Sequence, residues 1–75
     1  MDKQYHEYKK EALRLFTAMV WRDRTDVKFE LSDDGNTVFV TEPITGKLLR
    51  SVNINGDNII AMIYDIYRQA GEYLM

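Results

Sequence analysis

The sequence predicts an α+β domain: an N-terminal helix, a three-stranded antiparallel β-meander and a C-terminal helix, with both helices on one face of the sheet. Three observations predict it. Apolar residues recur at three- and four-residue steps over residues 3–21 and again over 59–74. Residues 27–52 carry three short runs that alternate or are rich in β-branched and aromatic side chains. The links between those runs, 32–36 and 42–46, are five residues each, too short for a parallel crossover.

The first helix is expected over residues 3–21. Tyr5, Tyr8, Ala12, Leu15, Phe16 and Met19 share one face, and Leu13 and Val20 widen it. Asp2 is placed to cap its start, because a carboxylate accepts the orphan backbone N–H groups there. Glu7 and Glu11 alternate with Lys3, Lys10 and Arg14 on the wet side. "RDRTD" (22–26) breaks the pattern.

"VKFEL" (27–31) alternates strictly, with Val27, Phe29 and Leu31 on one side, and reads as a half-buried strand. "SDDGN" (32–36) is a turn in which Gly35 or Asn36 takes positive φ at low cost. "TVFVT" (37–41) is the second strand. "EPITG" (42–46) turns again, with Pro43 at a strand end, and "KLLRSV" (47–52) is the third strand. Gly35 and Gly46 are the expected structural turn positions. In this reading Val38, Val40 and Leu48 face the helices, and Phe39 and Leu49 form an apolar spot on the outer face. "NINGDN" (53–58) offers Asn55, Asp57 and Asn58 as alternative starts of the last helix. Ile59, Ile60, Met62, Ile63, Ile66, Tyr67, Ala70 and Leu74 give that helix a broad apolar face, and Gly71 falls near its end.

Seventy-five residues make one domain, residues 1–75, with a limited core. There is no Cys and a single His, so neither a disulfide nor a thiolate or His-rich metal site is available. Self-association is the remaining common way to stabilise so small a chain, and 45% apolar residues can feed an interface. The formal net charge of −2 argues against nucleic-acid binding. Residues 1–25 hold six basic and four acidic side chains, residues 26–75 four and eight. No apolar run approaches the roughly 20 residues of a membrane span. The polar "MDKQYHEYKK" is not a signal peptide. A soluble cytoplasmic protein is the expectation.

Motif-level chemistry is thin. "TGK" (45–47) lacks the upstream Gly and the following Ser or Thr of a phosphate loop, and a strand follows it, so it reads as a turn. "SDDGN" has adjacent Asp33 and Asp34 instead of the alternating ligands of a calcium loop. His6 has no partnered nucleophile and reads as a surface residue. Trp21, Arg22 and Arg24 form an aromatic-basic cluster, diluted by Asp23, Asp26 and Glu30. No enzyme and no cofactor are expected. Tyr5 and Tyr8 on the first helix, and Tyr64, Tyr67 and Tyr73 on the last, suit the rim of a core or an interface. Phe39, Leu49, Tyr64 and Tyr67 are therefore the candidate interaction residues, with a homodimer the expected assembly.

Val27-Lys28-Phe29-Glu30-Leu31, Val38-Phe39-Val40, the run Thr45 to Val52 and the closing helix Ile59–Leu74 together resemble the FlaG family of flagellar proteins. The resemblance covers about residues 26–75. Two features depart from the family's pattern: Asn53-Ile54-Asn55-Gly56 stands where a Pro-Pro entry to the last helix is usual, and Glu42-Pro43 replaces an acidic residue before the turn. The resemblance implies a non-enzymatic accessory protein affecting filament assembly or length, associated with the flagellum, with Gly46 and Arg50 as structural signature positions. Two other readings stand beside it. One is a small regulatory or phage-type interaction protein unrelated to flagella. The other is a nucleic-acid binder using Arg22, Arg24, Lys28 and Arg50.

Overall fold

The computed structural model describes residues 3–20 and 27–74. The elements run α1 (Lys3–Val20), β1 (Lys28–Leu31), β2 (Thr37–Thr41), β3 (Leu48–Asn53) and α2 (Ile59–Ala70), closed by a 3-10 turn over Gly71–Tyr73. The strands form one antiparallel sheet in the order β1-β2-β3, with α1 packed on β1 and α2 on β3. The expected α-β-β-β-α architecture is present. Asp2 as a helix cap, and the cluster of Trp21, Arg22 and Arg24, lie outside the described residues.

α1 buries only one side of its expected apolar face, and a lysine stands in that row. Lys9, Leu13 and Phe16 are buried, with Ala12 and Val20 packed against the core beside them. Tyr8, Leu15 and Met19 point to solvent. The spacing 9, 13, 16, 20 is as good a helical row as 8, 12, 15, 19. The methylene stem of Lys9 lets it stand in an apolar row although its head is charged.

Both hairpin turns are built from side-chain oxygens. In the first, the Ser32 hydroxyl donates to Asp34 Oδ1 at 2.7 Å and accepts from Thr37 N at 3.1 Å. The N–H of Asn36 also donates to Asp34 Oδ1. These two hydrogen bonds hold the Asp34 carboxyl below its ordinary value, with Ser32 the larger cause. Gly35 takes φ 77° there. In the second turn, Gly46 N donates to Glu42 O at 2.8 Å with Gly46 at φ 73°, and the Thr45 hydroxyl donates to Glu42 Oε2. "TGK" is a turn whose chemistry is backbone geometry.

The register corrects the expected faces of β3. Val38 pairs with Val52, Phe39 with Ser51 and Val40 with Arg50, but Thr41 pairs with Leu48. One extra residue is accommodated there, and the pleat shifts by one. Leu49 therefore rests against the core and Leu48 is exposed, the reverse of the alternation expected for them. Phe39 keeps its expected outer face but is half-buried, with Leu48 instead of Leu49 as its apolar companion.

Of the three possible caps of α2, Asn58 is the one used: its side chain accepts from Ala61 N at 2.8 Å. Asn55 sits in an Asx turn, its N–H bonded to Asn53 Oδ1, and Asp57 N bonds Ile54 O. α2 buries Met62, Ile66 and Ala70, which close on Val27, Phe29, Val38, Val40, Val52 and Ile54. The Phe16 ring meets Phe29 edge-on at 5.2 Å.

Candidate interaction surface

The two helices lie side by side and run the same way. Near their starts the Tyr5 hydroxyl accepts from Ile59 N at 2.9 Å. Further along, the Phe16 and Tyr67 rings meet edge-on at 5.9 Å. With about 100° of turn per residue, the row Tyr8, Leu15, Met19 falls on the flank of α1 that turns toward α2 and away from the sheet. The row Ile60, Tyr64, Tyr67 falls on the matching flank of α2. Their exposures are 71% for Met19, 81% for Ile60, 66% for Tyr64 and 58% for Tyr67, with Tyr8 and Leu15 half-exposed. Between the rows lie Ala12 and Ile63, both half-buried. No charged residue interrupts either row. Scattered apolar residues at a surface are ordinary, but six large ones converging on one face are not.

The sheet edges present a different surface. On β1, the outward N–H of Phe29 donates to Thr17 Oγ1 of α1 at 3.3 Å. On β3, the Gln69 amide takes both edge groups of Asn53, accepting from its N–H at 3.3 Å and donating to its C=O at 3.2 Å. The Tyr73 hydroxyl reaches Leu49 O. Side chains from the helical layer thus occupy edge positions that an added strand would use. The outer face of the sheet carries Lys28, Glu30, Ser51 and Asn53 around Phe39 and Leu48, with a shallow hollow of about 440 Å³ beside Phe39.

The tyrosines divide by role. Tyr5 is tied to the start of α2, and Tyr73 is half-buried under Arg50, whose guanidinium lies 5.5 Å from the ring centroid. Tyr8, Tyr64 and Tyr67 project outward. Arg50 reaches across to the end of α2, donating to Gln69 O at 2.7 Å and pairing with Glu72. A cation at that end offsets the orphan carbonyls of the last turn, so its role is structural.

One polar cluster lies under the α1–α2 junction. Lys9 is fully buried, its Nζ makes no hydrogen bond, and it sits 5.5 Å from the Tyr5 ring centroid. Asp57 Oδ2 is also buried and without a hydrogen-bond partner. Burial pushes the Asp57 carboxyl up to about 6, with the Asp65 carboxylate adding to the rise and Lys9 and Arg68 opposing it. Asp65 is held below its ordinary value by Asp57 first and Arg68 second. Nothing in the sequence motifs marks Lys9, and Asp57 stands out only as a possible helix start; only the row Tyr5, Lys9, Leu13, Phe16 exposes the lysine's position.

The remaining candidates are not brought together. His6 is half-buried on α1, and its charge makes only the smallest contribution to lowering Asp34. Lys28 pairs with Glu30 at 3.7 Å and Arg50 with Glu72, so both described members of the basic set have acidic neighbours. Among the described residues no group of three or more His, Cys, Asp or Glu is placed to hold a metal ion. No helix among them is long and apolar enough to cross a membrane. Comparison with known proteins returns no matching family model, no matching curated protein and no matching solved structure.

Proposed function

We propose that this chain is a non-enzymatic protein-interaction module that docks through the uncharged face shared by α1 and α2. The observation that carries the reading is the convergence of Tyr8, Leu15, Met19, Ile60, Tyr64 and Tyr67 on one outward surface. The occupied edge positions on β1 and β3 turn strand addition away and leave helix-face docking as the favoured mode. Tyrosine, isoleucine and methionine suit this use, since large apolar bodies supply contact area and the Tyr hydroxyls stay wet at the rim. Among the described residues, neither row offers a polyanion a cation.

The flagellar context rests on the resemblance of residues 26–75 to the FlaG family. In this chain Gly46 supplies a positive φ and Arg50 closes α2, so the shared signature positions have structural roles that need no active site. Deleting the gene in its own host tests the context. Filaments of altered length or number favour a flagellar accessory; normal filaments favour the regulatory or phage-type reading.

The docking mode has its own test. A photo-reactive phenylalanine analogue placed at Tyr64 is expected to give covalent adducts in cells, and the same analogue at Ser51, on the outer sheet face, is not. Adducts from Ser51 alone would overturn the helix-face reading.

A further inference from the structure

We infer that the partner on this face is a second copy of the chain, packed about a two-fold axis so that four helices form the inner layers between two outer sheets. The inference rests on the docking reading above and adds the identity of the occupant.

Area is the first argument. Six side chains exposing half to four-fifths of their surface present on the order of 700 Å² of mostly apolar surface, at roughly 200 Å² for a whole tyrosine and somewhat less for an aliphatic side chain. One partner in a standard-size interface contributes about 800 Å². The face is therefore large enough for a specific dimer without recruiting the sheet.

Self-complementarity is the second. A two-fold interface needs one patch that fits itself, with residue i on j and j on i. Two parallel rows of similar width, one with Tyr64 and Tyr67 and the other with Leu15 and Met19, meet this condition when one copy is turned over the other. Among the described residues little electrostatic repulsion opposes the approach. The rows are uncharged, and their flanks carry both signs, Arg14 paired with Glu11 on α1 and Arg68 paired with Asp65 on α2. The net charge of −2 per chain gives weak mutual repulsion.

Need is the third. Among the described residues the monomer core holds eleven buried hydrophobic residues and one buried lysine, and the chain has no cysteine to form a disulfide. Covering the helical rows would extend the apolar interior across the axis.

Sedimentation equilibrium of the full chain at tens of micromolar, on the order of the working range for interfaces of modest size, reads the state directly. The expected mass is twice the 8.9 kDa of one chain. Ile60→Glu combined with Tyr64→Glu places four carboxylates in the joint and is expected to weaken association at least ~100-fold, with the far-UV circular dichroism unchanged. If that double variant does not fold, Met19→Lys on α1 serves instead, with the same expectation. Phe39→Ser on the outer face is expected to leave the dimer intact. A monomeric wild type overturns the inference; if Tyr64 then still cross-links to another protein, the docking reading survives it. A dimer that ignores the helix-face variants and breaks with Phe39→Ser overturns both.

Discussion

α1 and α2 lie on the same face of the same sheet, yet they are held in different ways. α2 has a side-chain cap at Asn58, buries Met62, Ile66 and Ala70 in an unbroken row, and has its last turn closed by Arg50. α1 sets a lysine in the middle of its buried row and shows Tyr8, Leu15 and Met19 to solvent. The difference separates two uses of apolar side chains. In α2 the sequence supplies a complete core stripe and a surplus, Ile60, Tyr64 and Tyr67. In α1 it spends apolar residues on the outer row while tolerating a charge in the inner one. Residues that contribute little to the monomer and are nonetheless large and apolar are better explained by a contact outside it.

The sharpest break between the two uses is a pair of truncations on α2. Ile66→Ala removes a fully buried side chain and is expected to cost about 3 kcal/mol, within the range for Ile to Ala in cores. Tyr64→Ala, two residues away, is expected to change monomer stability by less than ~0.5 kcal/mol, as exposed positions do. Urea denaturation in a monomeric background measures both. Equal losses would erase the distinction between core row and docking row.

The next largest effect belongs to α1. Lys9→Met keeps an unbranched stem one heavy atom shorter and removes a buried ammonium that makes no hydrogen bond. Replacing a whole buried ion pair by hydrophobes of similar volume is often neutral or stabilising, whereas removing one partner of a close pair is costly; the Lys9 Nζ makes no hydrogen bond, so relief of its burial is expected to prevail, with a gain of about 1–2 kcal/mol. A loss of that size would mean that the Coulomb attraction to Asp57 outweighs the cost of burial, and α1 would then be anchored by charge where α2 is anchored by packing.

How much of this was legible in the sequence follows from what each signal encodes. Period and turn chemistry are local, so the element order, the turns at Gly35 and Gly46 and the strands were readable. Leu48 and Leu49 were not, because the extra residue opposite Thr41 is set by pairing between strands, and simple alternation carries no sign of it. The expected face of α1 holds Leu13, Phe16 and Val20 of the buried row, but it also takes in Tyr8, Leu15 and Met19 and omits Lys9, because two equally good helical rows coexist and apolar count alone does not separate them. Asn55, Asp57 and Asn58 look equivalent as caps; a local Asx turn takes up Asn55, and the tertiary tie of Ile59 N to Tyr5 fixes the helix start after Asn58. Of the candidate interaction residues, Tyr64 and Tyr67 stand on the exposed helical face, Phe39 stands apart on the sheet, and Leu49 belongs to the core side. Ile60, Leu15 and Met19 went unmarked because an exposed apolar residue on an amphipathic helix looks the same in sequence as a buried one.

The caps allow a smaller test of the same contrast. Asn58→Ala leaves Ala61 N without its acceptor and is expected to cost about 1 kcal/mol. Asn55→Ala, at a rejected cap, is expected to cost less. The two denaturation midpoints compare directly, and an equal or larger loss at Asn55 would put the anchoring of α2 in the preceding turn.

A last expected effect is on pH, and it concerns the place where the two helices meet. Asp57 holds its proton up to about 6 in the folded chain, above the 3.8 of an ordinary aspartate. A carboxyl raised on folding binds a proton that the unfolded chain releases, so its contribution to stability grows as pH falls through about 6 and is complete near 3.8. Asp34, Asp65 and Glu11 are lowered on folding, and their contributions are lost on further acidification, through their folded values. The balance puts greatest stability on the acid side of neutrality, above the pH at which those three groups protonate. Physically, protonation supplies a donor between Asp57 and Asp65, two carboxylates that otherwise repel. It also removes the nearby negative charge that favours the buried Lys9 ammonium, which works against the gain. The measurement is the urea midpoint at pH 7.5 and at pH 5.0, for wild type and for Asp57→Asn, in a monomeric background. The wild-type midpoint is expected to rise on acidification. The Asp57→Asn midpoint is expected to start higher at pH 7.5 and to stay flat, since the amide carries the donor at every pH. A wild-type midpoint that falls over this range, with Asp57→Asn the less stable chain at pH 7.5, would show that the attraction between Lys9 and the Asp57 carboxylate prevails. The buried charge of α1 would then be its anchor, and the contrast between the helices would be one of chemistry instead of completeness.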